Sequence, residues 1–259
     1  MPPAAPQASS KVGILYDNIS GNIGDVAIGL SLKNMLSQHQ VEFDELVPGR
    51  FDPYDYEKIV VGGGYLLRPS PHFFYDKFRI TGRHILNACG IEGFPDDLQY
   101  LDDYAYVSVR SRGDRKKLGY LNREVKVVPC TSMLLEDLEN VETQIQSPSI
   151  GIHLTSGFLD QRDEEDFASF ISQLDLNPYL FPITHYQQDS LYLNRLRLRL
   201  PNSRLIPILK VEEIFTLIGK FDYFISMSLH GAIFAYVHKV PFIVIDREKT
   251  RNFMRDRGL

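Results

Sequence analysis

Short strand-like runs alternate with helix-like segments along the chain, and they do so in two successive series. "KVGILY" (11–16), "VEFDEL" (41–46), "KIVVGG" (58–63), "YAYVSVR" (104–110) and "EVKVVP" (124–129) are β-branched or aromatic runs bounded by turn residues, and they predict five strands. Between the first two, Ile28, Leu32, Met35 and Leu36 recur on one face of a helix that should begin near Asp25. After the polar stretch "ENVETQIQSPS" (139–149) the rhythm restarts with "IGIHL" (150–154), "YLFPIT" (179–184), "RLIPI" (204–208), "YFISMS" (223–228) and "PFIVID" (241–246). Helical segments such as "EEDFASFISQL" and "VEEIFTLIGKF" separate these runs. Strands that alternate with helices pair in parallel, because a right-handed crossover lays each helix back on the sheet. The expected fold class is therefore α/β, with two Rossmann-like domains facing each other across a cleft. Their expected spans are 11–147 and 148–259, after a disordered tail over 1–10.

Composition narrows the function classes. A net charge of -5 over 259 residues gives no basic field to attract nucleic acid or an anionic bilayer. Cys89 and Cys130 are the two cysteines and neither has a C-x-x-C companion, which argues against a zinc ribbon or a disulfide framework. "MPPAAPQASS" lacks the basic and apolar regions of a leader, and no later run reaches the roughly 18 apolar residues a spanning helix needs. These features lead us to expect a cytoplasmic protein with reduced thiols.

In parallel sheets ligands bind beyond the carboxyl ends of the strands, so the residues after each strand carry most weight. After the first comes "DNISGNIGDVAIG", where Gly21 and Gly24 permit tight turns and Asp25 reads first as a helix N-cap and only second as a carboxylate in a site. No lysine follows Gly24, so this is not a phosphate loop of the G-x-x-x-x-G-K-[ST] type. Gly62–Gly64 follow the third strand, and Arg110 ends "VSVRSR" where it could offer a bidentate fork to an anion. His153, His185 and His230 hold comparable positions in the second series, and position alone does not rank them; the small Gly231 and Ala232 of "HGA" suggest open space beside His230. Arg247, Lys249 and Arg251 form a charge run after the last strand, either a solvated helix start or a phosphate clamp.

Four segments, "GNIGDVAIGLSLKNML", "IVVGGGYLL", "YVSVRS" and "FISMSLHGAIFAYVHKVPFIVIDREKTRNFM", occur in the order found in the polysaccharide pyruvyl transferase family, which the chain resembles from about residue 11 onward. The resemblance implies a GT-B-like pair of domains and transfer of the pyruvyl group of phosphoenolpyruvate to a sugar, making a cyclic ketal and releasing phosphate. It assigns Arg110, Ser228, Leu229, His230 and Lys249 to the donor, with His230 as general acid. Asn22, Gly24, Asp25, Gly63 and Gly64 fall to the acceptor, with Asp25 orienting or deprotonating its hydroxyls. Phosphoenolpyruvate is a substrate here, and the scheme requires neither a metal nor an organic cofactor. The expected acceptor is a saccharide, free, lipid-linked or nucleotide-linked.

The chain departs from the family pattern at three places. Ser228 stands two residues before His230 where relatives carry arginine, and Cys130 and Thr131 replace an aspartate and a proline. Relatives commonly continue past "RDRGL" with further helices, so either interdomain closure differs or a second copy in a homo-oligomer supplies that surface. Two alternatives share the architecture: a nucleotide-sugar glycosyltransferase, and a catalytically silent member that binds glycan or a partner enzyme.

Overall fold

The computed structural model describes residues 11–155, 161–184, 188–245 and 248–259, with 161 and 162 described by backbone alone. The expected tail over 1–10, His185 and Arg247 lie outside the described residues. The chain divides into two compact units. One comprises Ile28–Thr131 and the described residues through Ile19; the other comprises Ser20–Ala27 and Ser132–Leu259. The short segment 20–27 thus groups with residues more than a hundred positions away.

The first unit holds a six-stranded parallel sheet. Its strands are β1 (Val12–Leu15), β2 (Phe43–Leu46), β3 (Lys58–Gly62), β4 (Ile85–Cys89), β5 (Tyr106–Val109) and β6 (Lys126–Val127), in the order β2-β1-β3-β4-β5-β6. Five match the expected runs; β4 does not. Helix α1 (Ile23–Gln38) links β1 to β2 and α2 (Arg112–Lys117) links β5 to β6. The face read from sequence packs as expected at its start, with Ile28 and Leu32 buried. Leu15, Ile59, Val61, Leu86, Val107 and Val109 meet in one cluster with Phe78 and Tyr104 from the connections.

The second unit holds a five-stranded parallel sheet in the order β11-β10-β7-β8-β9. Its strands are β7 (Ser149–His153), β8 (Asn177–Leu180), β9 (Arg204–Leu205), β10 (Tyr223–Ser226) and β11 (Phe242–Val244), all at expected places. Helices α3 (Gln161–Ser172), α4 (Asp189–Leu196), α5 (Val211–Ile218) and α6 (Leu229–Val237) make the crossovers, and α7 (Glu248–Arg257) follows β11. Helix α6 is apolar nearly all round, and Leu229 through Ala235 are buried, as a helix without a polar face requires. The architecture is α/β with two Rossmann-like units. In the first sheet the strand order reverses between β1 and β3; in the second it reverses between β7 and β10. Those switch points are where such sheets take ligands. No helix among the described residues is long and apolar enough to cross a membrane.

Candidate active site

At the second switch point β10 ends in Ser226, and α6 begins three residues later with Leu229, followed by His230. The Ser226 hydroxyl accepts from the Ser228 amide at 3.0 Å and stands 3.0 Å from the Ser228 carbonyl, to which it donates, so one side chain fixes the strand-to-helix corner. Ser228 occupies the N-cap position without a side-chain capping bond of its own, and it is buried. Leu229 is buried too, which makes it a packing residue of the corner. His230 lies in the first turn, 6% exposed, with its ring centroid 6.2 Å from that of Phe234.

The imidazole of His230 rests directly on Gly24. A Cβ at residue 24 would overlap the ring at Nδ1, Cε1 and Cγ. Gly24 was expected to permit a tight turn; it sits inside α1 instead, and its missing side chain makes room for His230. The turn belongs to Gly21, whose φ is +74°. Helix α1 starts two residues earlier than expected because Asn22 supplies the cap: its Oδ1 accepts from the Gly24 amide at 3.1 Å. The Asn22 amide nitrogen donates to Asp25 Oδ2 at 2.6 Å. The capping reading of Asp25 therefore passes to Asn22, and Asp25 stands in the first helical turn, 6% exposed, on the element that carries the seat of His230.

The space beside His230 is not open, contrary to what "HGA" suggests. A Cβ on Gly231 would run into the Ser226 hydroxyl and come 3.0 Å from Ile183 Cδ1, while Ala232 is fully buried. The small residues let α6 approach the sheet rather than leave a cavity.

His153, at the end of β7 and paired in register with Ser226, is fully buried and faces Asp189 at the start of α4, Nε2 to Oδ2 3.2 Å. The same carboxylate oxygen accepts from the amides of Ile183 at 2.7 Å and Thr184 at 2.5 Å and from the Thr184 hydroxyl at 3.1 Å. Burial alone would raise the Asp189 pKa; the bond and charge of His153 and the two amides outweigh it and hold the carboxyl below its ordinary range. Facing a carboxylate, His153 carries its proton on Nε2. Sequence reading noted His153 by position but missed Asp189, whose only signal was an acidic residue opening a helix.

In the first unit the carboxyl ends of β3, β4 and β5 bring Gly63, Gly64, Gly90 and Arg110 together. Gly63 and Gly64 have φ of +59° and +70°, and Gly64 accepts from the Gly90 amide at 2.6 Å. A Cβ on Gly90 would collide with the Arg110 guanidinium, which lies 4.6 Å from the Tyr65 ring centroid. Arg110 Nη2 is buried and has no hydrogen-bond partner among the described residues. A guanidinium so held is a ready site for an anion, since a buried unmet donor is costly until a ligand satisfies it. Sequence reading found Arg110, Gly63 and Gly64 but missed Gly90 and Tyr65, because β4 was not recognised. Thr131, at one of the departures from the family pattern, accepts from the Asn87 side-chain amide at 2.8 Å, and Cys130 is buried. Lys249 lies in the first turn of α7, partly exposed. Among the described residues no group of three or more histidine, cysteine, aspartate or glutamate side chains is placed to hold a metal ion.

The family model described as polysaccharide pyruvyl transferase matches residues 22–249, from the capping Asn22 to Lys249 in α7. The chain belongs to the polysaccharide pyruvyl transferase family. That family places it among transferases that modify polysaccharides, and the matched span includes His230, Arg110 and Asp25. No curated protein matches the sequence. Solved structures resemble this family member in fold. Staphylococcus aureus MnaA with UDP superposes at a TM-score of 0.61 and 11% identity, covering 96% of this chain and 82% of its own. The Methanocaldococcus jannaschii UDP-GlcNAc 2-epimerase with UDP-GlcNAc and UDP gives 0.57 at 12% identity, covering 95% and 86%. A Klebsiella pneumoniae protein, KP1_0663, gives 0.57 at 11% identity, covering 97% and 90%. Likeness at this identity establishes the two-unit α/β, GT-B-like fold.

Proposed function

We propose that the chain transfers the pyruvyl group of phosphoenolpyruvate to two hydroxyls of a sugar in a polysaccharide or its precursor, forming a cyclic pyruvate ketal. The observation that carries this reading is the contact between Gly24 and His230: two of the segments that mark the family meet on one imidazole. In the proposed reaction protonated His230 gives its proton to the methylene carbon of phosphoenolpyruvate, and C2 gains positive character. A sugar hydroxyl attacks C2 and loses its proton, with Asp25 orienting or accepting it. A second hydroxyl then attacks, the C2–O bond to phosphate breaks, and phosphate departs. One proton enters the methyl group, two leave the hydroxyls, and the difference leaves with phosphate or solvent. Arg110 supplies the unmet cationic donor that a carboxylate or phosphate of the donor substrate would satisfy.

Ser228 contributes no charge where relatives carry arginine, so this reading requires the donor anion to be held by other cations, of which Lys249 and Arg251 in α7 are candidates. A second reading is favoured by one fact about the structural neighbours: MnaA and the epimerase are seen with UDP or a UDP-sugar. A nucleotide-sugar transferase would release a nucleotide instead of phosphate. Purified protein incubated with phosphoenolpyruvate and a panel of saccharides should release phosphate only when both are present, with a ketal found by mass spectrometry. Phosphate release independent of saccharide, or product formed only from a nucleotide sugar, would overturn the pyruvyl reading.

A further inference from the structure

Two phenylalanines in the first unit are held on ordered segments yet face solvent: Phe73 is 88% exposed and Phe94 83%. Neither ring contributes to the core, so packing does not explain them. Both leave the sheet shortly after the bridge between Leu67 and Ile91, which lies beyond the carboxyl ends of β3 and β4. The two segments still touch where Pro69 comes within 3.3 Å of the Cβ position of Gly93. This is the edge that presents Gly64, Gly90 and Arg110, and Phe94 follows Gly90 closely in sequence.

The segment around Phe73 is rigidly supported. His72 Nδ1 accepts from the amides of Phe74 and Tyr75, each at 3.2 Å, and the His72 amide donates to Asp76 at 2.7 Å. The His72 ring stacks on Phe73, with centroids 5.2 Å apart and planes 18° from parallel. Arg68 lies over Tyr75 at 3.8 Å and pairs with Glu92 at 2.7 Å, tying this segment to the one that carries Phe94. Beside Phe94, Lys117 donates to the Ile91 carbonyl at 2.9 Å and stands 5.4 Å from the Phe94 centroid.

We propose that Phe73 and Phe94 are a stacking platform for the acceptor saccharide, each ring receiving the C–H face of a pyranose beside the Arg110 edge. This rests on the pyruvyl transferase reading above and adds where the acceptor chain lies. The electron-rich face of an aromatic ring attracts the weakly positive C–H hydrogens on one side of a sugar, while the sugar's hydroxyls need a polar surround. The rim supplies one: Arg68, Glu92 and Lys117 flank the rings with both signs of charge. A bilayer wedge would call for unpaired basic residues around the rings. Here Arg68 is paired with Glu92 and the whole chain carries -5.

The test is saturation-transfer NMR with galactan, mannan and glucan oligosaccharides on wild-type protein and on Phe73→Ala, Phe94→Ala and the double variant, none of which disturbs buried residues. At least one glycan should bind with saturation concentrated on C–H protons of one pyranose face, and each substitution should weaken binding roughly tenfold. Where turnover is measurable, the variants should raise the KM for the acceptor and leave kcat near wild type. Undiminished glycan binding by the double variant would overturn the platform while leaving pyruvyl transfer intact. Binding of wild type to phosphatidylglycerol vesicles but to none of the glycans would assign the rings to a membrane and overturn it equally. Glycan binding that depends on the rings, without any ketal formed, would keep the platform and sink the pyruvyl reading.

Discussion

At the carboxyl edge of the first sheet a nitrogen of Arg110 is buried with no hydrogen-bond partner among the described residues, whereas at the edge of the second sheet Asp189 draws four donors onto one oxygen. The first edge is made of glycines at positive φ and an unmet guanidinium, with solvent-facing rings beyond it. The second is packed shut: His153, Asp189, Ser226 and Ala232 are fully buried, Gly231 admits no side chain, and all four donors converge on Asp189 Oδ2 while its Oδ1 is buried without a partner among the described residues. A buried cationic donor without a partner is completed by an anion, while a closely packed edge holds its side chains still. Under the proposed function, the first edge recognises an anion and the second holds His230 in place.

The largest expected effect breaks the packed edge. Asp189→Ala leaves His153 and the Ile183 and Thr184 amides without their shared acceptor and should destabilise the protein by about 3–5 kcal/mol in urea unfolding. Because the Asp189 carboxyl is held below the ordinary value of 3.8, its stabilisation is fully present above that pH and is lost as pH falls through the lower folded-state value. Asp189→Asn should therefore weaken the acid dependence of stability in that window; an unchanged acid limb would show that the pair does not stabilise the fold.

His230→Gln separates positioning from stability. Ketal formation should fall about a hundredfold or more, with the melting temperature nearly unchanged. Gly24→Ala sharpens the same point from the other side. Alanine suits a helix better than glycine by about 1 kcal/mol, yet here its Cβ would displace the imidazole. Activity should approach that of His230→Gln, and combining the two should add little, since both act on one ring. Additive losses would place Gly24 and His230 in separate roles.

Smaller effects are expected at the first edge. Arg110→Ala should weaken phosphoenolpyruvate binding about ten- to a hundredfold by calorimetry, with partial recovery in Arg110→Lys because an ammonium cannot reproduce the planar fork. Wild-type affinity in Arg110→Ala would remove it from the donor site. Asp25→Asn keeps the cap, which belongs to Asn22, and should lower turnover at saturating acceptor more than stability.

Ten of the eleven strands were legible because apolar runs between turn residues survive without tertiary help. β4 was not: "ILNAC" has one β-branched residue and places Asn87 mid-strand. Its register shifts between Leu86 and Cys89, and Ala88 takes a φ of +49°. That irregularity is held by Ser108, whose hydroxyl accepts from the Ala88 amide at 3.0 Å and lies 3.1 Å from the Leu86 carbonyl, a contact between strands that no local pattern encodes. The site divides the same way. Arg110 and His230 could be found because they follow readable strands. The clash that makes Gly24 a seat for His230 joins residues two hundred positions apart, and "HGA" read as open space because sequence does not show which neighbours press against a glycine.

The proton that His230 is proposed to deliver can be followed directly. Wild-type protein, phosphoenolpyruvate and an accepted saccharide are incubated in deuterium oxide, and the product is read by mass spectrometry and NMR. The expected product is a ketal whose methyl group carries one deuteron, formed with one phosphate per ketal and lost together in His230→Gln and Gly24→Ala. A ketal formed at the wild-type rate by His230→Gln, or a sugar transferred with release of a nucleotide and no ketal, would contradict it.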